Sequence, residues 1–262
     1  MTDWYRDMAR MDHPEILGRL FFPRREEVPD TPNATNHFVK VADSISVSCR
    51  SYHAGAVGPN ILLFHGNGET SGDYDYVAPF YQERGFNLFV ADYRGYGMSD
   101  GSPTCSAVLM DAHPIFEAFA SSVRAAEYAG SLYVMGRSLG SAPAIEVAFH
   151  YQAQLKGLIV ESGFASARRQ FARMGVSHFF KDTEELLGFG NDVKIQAVRI
   201  PTLIIHGEED TIIPATEGRA LYSLSGASRK TSLFVPQAGH NDLLDRALKQ
   251  YMEAIARFTG GF

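Results

Sequence analysis

Short, continuous apolar runs recur along this chain at residues 61–64, 88–91, 132–135, 158–160, 203–205 and 232–235. Runs of that length suit strands buried on both faces of a parallel sheet, where neither face is left for polar alternation. Between them, residues 108–128, 142–151 and 243–258 carry helical periodicity. Ahead of them, residues 37–41 and 44–52 alternate enough to predict a hairpin, with its turn near Ala42-Asp43. The alternation of strand and helix predicts a mostly parallel sheet of about eight strands with helices on both faces. In such sheets ligands bind outside the carboxyl ends of the strands. The first 32 residues close on Pro29-Asp30-Thr31-Pro32 and are expected to pack as an N-terminal arm. With no repeat, low-complexity tract or Gly/Ser linker, residues 1–262 are expected to form one domain.

Composition narrows this picture only a little. A chain of 262 residues, 45% hydrophobic, can bury a large α/β core. A net charge of −6 leaves no basic footprint for nucleic acid. Cys49 and Cys105 are too few and too far apart for a disulfide framework. The stretch Met1-Thr2-Asp3-Trp4-Tyr5-Arg6-Asp7 lacks the apolar centre of a secretory signal, and no apolar run reaches the roughly 18 residues that span a bilayer. The expectation is a soluble, cytoplasmic protein with no integral membrane segment.

The strongest chemical signal is Gly136-Arg137-Ser138-Leu139-Gly140, set between the run at 132–135 and the helical segment at 142–151. A tight strand-to-helix turn lifts a serine hydroxyl clear of the backbone. Its glycines let strand and helix approach without Cβ clashes, and the helix turns its positive end toward the serine. A serine needs a base. Of nine histidines, His240 follows the last apolar strand and precedes the last helix, on the same sheet edge as Ser138. His65 and His206 also end strands, but each precedes glycine and reads as a turn-supporting residue. The base needs an acid, and Glu208, Glu209 and Asp210 follow the strand at 203–205. Asp210 is preferred, because the glutamates can simply be solvated; Glu161 is the rival. Asp92 and Asp242 fit turn or cap roles.

The order Ser138, Asp210, His240, with Asp92-Tyr93-Arg94-Gly95-Tyr96-Gly97-Met98-Ser99 and His65-Gly66-Asn67-Gly68, resembles the α/β-hydrolase superfamily from about Phe38 onward. It is most similar to small serine hydrolases of the α/β-hydrolase-domain type with a short cap. The resemblance implies the α/β-hydrolase fold and a cofactor-free serine hydrolase acting on an ester or thioester through an acyl-enzyme. It also implies an oxyanion hole made by the backbone N–H groups of Asn67 and Leu139. Two departures stand out. Pro143 lacks an N–H just past the elbow, so the helix is expected to start late or bend there. The loop reads His-Gly-Asn-Gly, where many esterases have His-Gly-Gly-Gly.

Between 163 and 198 the rhythm slackens, as in functional lids. Phe164, Phe171 and Met174 fall at helical spacing, followed by Phe179, Phe180, Leu186, Leu187 and Phe189. They form either an apolar lid over an acyl pocket or a cover for the sheet edge, and the sequence leaves both open. Arg168, Arg169 and Arg173 read as a solvated face. No His/Cys/Asp pattern with metal-ligand spacing and no complete nucleotide fingerprint is present, so neither metal nor cofactor is expected. The expected partner is a small-molecule acyl substrate. A hydrolase-fold receptor with little turnover, a serine peptidase and a C–C hydrolase remain alternatives.

Overall fold

The computed structural model describes residue 8 and residues 10–176 and 188–260. Its centre is an eight-stranded sheet: β1 (Ala34–Ala42), β2 (Ile45–Tyr52), β3 (Asn60–Phe64), β4 (Asn87–Ala91), β5 (Leu132–Arg137), β6 (Leu155–Glu161), β7 (Thr202–Gly207) and β8 (Lys230–Val235). The spatial order is β1-β2-β4-β3-β5-β6-β7-β8. β1 and β2 form the expected antiparallel hairpin, and β2 is antiparallel to β4. Every pairing from β4 through β8 is parallel. The hairpin turns through Asp43-Ser44, one residue later than expected, with Ser44 at φ 57°.

Alternate residues of each inner strand feed opposite cores. Leu62, Phe64, Val134 and Val160 join one layer, with α1 (Pro14–Leu20), α3 (Cys105–Met110), α4 (Ala112–Ala125) and α5 (Ser141–His150). Ile61, Leu63, Met135 and Ile159 join the other, with α2 (Ala78–Gln82) and the last helix, Leu243–Thr259. The remaining helices are α6 (Ala167–Arg173), α7 (Asn191–Ala197) and α8 (Ala215–Leu224), so Leu243–Thr259 is α9. Period-2 strands inside a helical sandwich explain why these runs looked uniformly apolar. This is the α/β-hydrolase fold.

Three details refine the sequence reading. The helix expected over 108–128 is two helices meeting at Asp111. Pro114 has no N–H to bond back to Met110, so the ladder breaks there. Pro143 does no such damage. A 3₁₀ turn over Ser138–Gly140 delays α5 to Ser141, which leaves Pro143 in the first turn, where no N–H partner is needed. The arm is threaded into the core: Met8, Met11, Ile16 and Leu20 are buried, and Arg25 bridges to Gly97.

Candidate active site

Ser138 sits at φ 52°, a left-handed conformation that an L-residue holds only when its surroundings impose it. The imposing contacts are tight. A Cβ on Gly136 would lie 2.1 Å from Gly140 O, and one on Gly140 would lie 2.0 Å from Phe64 O, so only glycine fits on either side of the turn. Ser141 Oγ donates to Ser138 O at 2.7 Å and pins the turn from the helix side. The hydroxyl of Ser138 is thereby fixed at the carboxyl edge of the sheet.

The structure brings the expected partners to it. Ser138 Oγ lies 2.9 Å from His240 Nε2, and His240 Nδ1 donates to Asp210 Oδ2 at 2.6 Å. All three are buried. Asp210 Oδ1 accepts the backbone N–H groups of Ile212 and Ile213 at 2.9 and 2.8 Å. Burial pushes the Asp210 carboxyl up, but hydrogen bonds from His206 and His240 and from the Ile213 N–H outweigh it and hold it well below the usual carboxylate range. The rival Glu161 points elsewhere, accepting from Arg137 Nε at 3.2 Å and Tyr251 OH at 2.6 Å. Asp242 accepts from Gly239 N at 2.6 Å and so shapes the His240 loop.

His206 is more than a turn residue. Its Nε2 donates to Ile213 O at 2.7 Å and lies 3.3 Å from Asp210 Oδ2, so it buttresses the acid. Arg137, the variable position of the elbow motif, was also missed. Its guanidinium contacts Glu69, Glu161, His240 O and Asn241 Oδ1. Burial pushes it down, while the Glu69 and Glu161 carboxylates more than compensate and hold it above the ordinary arginine value.

Asn67 and Leu139 both line the cavity at Ser138. The Asn67 side chain is occupied in holding its loop. Its Nδ2 donates to Leu20 O at 2.5 Å, and its Oδ1 accepts from Phe22 N at 3.1 Å and Tyr96 OH at 2.6 Å. The N-terminal arm therefore props the loop.

The cavity measures about 560 Å³. Phe164, Phe171, Met174, Phe189, Leu20 and Ile213 give it apolar walls, and Arg19, Arg137 and Arg173 are its basic members. Among the described lining residues none is acidic. Phe164 precedes α6 instead of lying on it, because the helix starts only at Ala167, behind the Ser166 cap. Phe171 is buried in the core, whereas Met174 is only partly buried. Arg169 is paired with Glu217. Phe179, Phe180, Leu186 and Leu187 lie outside the described residues.

A group able to face a metal does exist among the described residues: His113, Glu146 and His150. Both histidine Nε2 atoms face Glu146 Oε1, at 3.3 and 3.0 Å, while the fully buried Lys194 ammonium is paired with Oε2. A cation already compensates this carboxylate, and the cluster does not line the cavity at Ser138. Sequence spacing hid it, because His113 comes from a different helix.

The sheet order, the strained serine turn and the strand-end Ser-His-Asp set define an α/β-hydrolase. A family model described as serine aminopeptidase, S33 (a hydrolase family), matches residues 56–188, just over half of the chain, and the chain belongs to that family of serine hydrolases. Protein bem46 of Schizosaccharomyces pombe is 28% identical over 188 residues, covering 70% of this chain and 62% of its own. The lysophosphatidylserine lipase ABHD12 of Rattus norvegicus is 30% identical over 205 residues, covering 71% and 50%. The chain thus spans about half to three-fifths of the length of these relatives. Among solved structures, an esterase of Pyrococcus furiosus, Pf2001, superposes with a TM-score of 0.72 at 17% identity, over 91% of this chain and 97% of that one. Est1E of Butyrivibrio proteoclasticus gives 0.64 at 16%, over 85% and 96%. These two share the fold. No helix among the described residues is long and apolar enough to cross a membrane.

Proposed function

We propose that the protein hydrolyses a carboxylic ester or thioester through an acyl-enzyme. The observation that carries this reading is the unbroken line Ser138 Oγ–His240–Asp210, opening on the cavity of about 560 Å³. Ser138 attacks the carbonyl carbon while His240 Nε2 takes its proton. Asp210 fixes the tautomer and stabilises the imidazolium that forms. The oxyanion falls to the backbone N–H groups of Asn67 and Leu139, with the α5 N-terminus behind them. His240 then gives its proton to the leaving group, and water repeats the attack to free the acid.

The lining supports an acyl substrate with an apolar chain and an anionic head. Phe164, Phe171 and Met174 would face the chain, and Arg19 and Arg173 would meet the head. A relative named as a lysophosphatidylserine lipase fits that pattern. An aminopeptidase, which the family description names, needs an acidic group for the substrate's ammonium, and none is among the described lining residues. Labelling with a serine-reactive phosphonate should be lost in Ser138→Ala. A panel of acyl esters, thioesters and aminoacyl amides should then show turnover of esters or thioesters only. Labelling that persists in the variant, or turnover confined to amides, would overturn the reading.

A further inference from the structure

The hydroxyl of Ser138, the imidazole of His240 and the amide of Asn67 come from three loops far apart in sequence. Something must set their spacing, because a misplacement of about 1 Å can cost roughly 100-fold in rate. One side chain touches all three loops. Arg137 is the residue before Ser138. Its Nη2 donates to His240 O and to Asn241 Oδ1, each at 3.0 Å. Its Nη1 pairs with Glu69, whose other carboxylate oxygen accepts the Gly66 N–H at 2.9 Å, beside Asn67. Its Nε donates to Glu161 at the end of β6, which Tyr251 of α9 ties down in turn.

We infer that Arg137 is a positioning residue that locks the serine turn, the His240 loop and the Asn67 loop into one register. The inference rests on the proposed role of Ser138. Four directed N–H bonds on one planar fork are needed, and a lysine ammonium has three donors on a single point. Arg137 therefore acts through its neighbours without touching the reacting atoms. Glu161, the sequence rival for the triad acid, serves as one arm of this lock.

The primary test is Arg137→Lys, which keeps the charge between the two carboxylates. We expect kcat on a short acyl ester, and the phosphonate labelling rate, to fall by roughly 10–100-fold with KM within about threefold. A second variant, Arg137→Met/Glu69→Gln/Glu161→Gln, removes all three charges together and so leaves no carboxylate stranded. It should show a kcat loss at least as large as that of the lysine variant, whatever its melting midpoint. A third arm adds guanidinium ion to Arg137→Ala. A pocket of about 220 Å³, lined by Glu69, Glu161 and Tyr251, adjoins Arg137 and gives that ion room to enter. Partial recovery of kcat is expected there, which a purely structural role does not produce.

Wild-type kcat and labelling rate in folded Arg137→Lys would overturn the inference, as would their retention in the neutral triple variant. Ser138→Ala run in parallel separates this from the parent reading. If labelling persists in Ser138→Ala, the nucleophile is wrong. If it vanishes there yet Arg137→Lys labels at the wild-type rate, only the lock is wrong.

Discussion

Among the described residues, two buried aspartates, Asp92 and Asp210, hold the histidines His65 and His240, with His206 as a further partner of Asp210, and the two histidines differ in what their second ring nitrogen faces. His65 directly follows β3, its Nε2 3.1 Å from Asp92 Oδ1 and its Nδ1 2.8 Å from Gly66 O. Both ring nitrogens face acceptors, an arrangement that favours the protonated ring. Burial pushes its pKa down, but the Asp92 carboxylate outweighs that and leaves it raised. Asp92 is saturated too, accepting from Ser48 and twice from Ser71. His240 faces a carboxylate on one side only. Its other nitrogen meets the Ser138 hydroxyl, the group whose proton it takes in the proposed mechanism. What the second nitrogen faces, a carbonyl in one case and a hydroxyl in the other, is the difference between the two pairs.

The sharpest way to break this comparison is to swap the acids for amides. Asp210→Asn should lower kcat by roughly 10⁴-fold, as loss of the right histidine tautomer does in other triads, with KM little changed. A drop under tenfold would deny Asp210 its role. Asp92→Asn should do the reverse. Disrupting a buried, hydrogen-bonded ion pair costs about 3–5 kcal/mol of stability in a denaturant titration, while kcat per folded molecule stays within a few-fold. A variant of normal stability but lost turnover would place Asp92 in the reaction instead.

Two further substitutions refine what the cavity wall contributes. Phe171→Ala should cost about 3–5 kcal/mol of stability, because the ring is 1% exposed within the core. Met174→Ala, only partly buried, should instead shift the ratio of kcat/KM between long and short acyl esters by about 1–3 kcal/mol. If neither alters that ratio, α6 covers the sheet without reading the substrate.

The smallest effect is in the pH dependence of stability. The raised pKa of His65 contributes stability that is full below its unfolded value of about 6.5 and is lost as pH rises through the folded one. Asp92 behaves in the opposite direction. Burial pushes its carboxyl up, but His65, Ser48 and Ser71 pull it lower, so its contribution is present above about 3.9 and is lost as pH falls. Thermal midpoints of wild type should therefore decline on both sides of this window, and His65→Gln should flatten the alkaline side. An unchanged alkaline limb in that variant would mean that His65 is not held protonated.

Much of this was legible in the chain. The apolar runs placed β3 to β7, because a doubly covered strand must be apolar along its length, and also the edge strand β8, which is mostly half-buried or exposed. The glycines around Ser138 announced a turn that only glycine can flank, and the position of His240 after the last strand put it on the serine's edge. Asp210 was harder to single out, since Glu208 and Glu209 carry the same charge; it was preferred because those glutamates can simply be solvated on the loop, while loop position and family order set it above Glu161. Arg137 and His206 were passed over for a physical reason. Their partners are fixed by side-chain reach across the sheet edge, between Glu69 and Arg137 or His206 and Ile213, and no local periodicity encodes such a meeting. Phe164 was placed on a helix because three apolar positions matched its spacing, but Ser166 caps the helix after it.

The hold that Leu20 and Phe22 keep on Asn67 has a practical side for anyone re-engineering this scaffold. The sheet begins at Ala34, which makes residue 33 an inviting place to trim or to fuse another protein. A chain cut there would still own its serine, histidine and aspartate. It would lose two of the three contacts that anchor the Asn67 side chain, keeping only the Tyr96 hydroxyl. A segment outside the sheet is thus part of the working edge, and a graft that preserves the motifs alone would transfer the parts without their alignment.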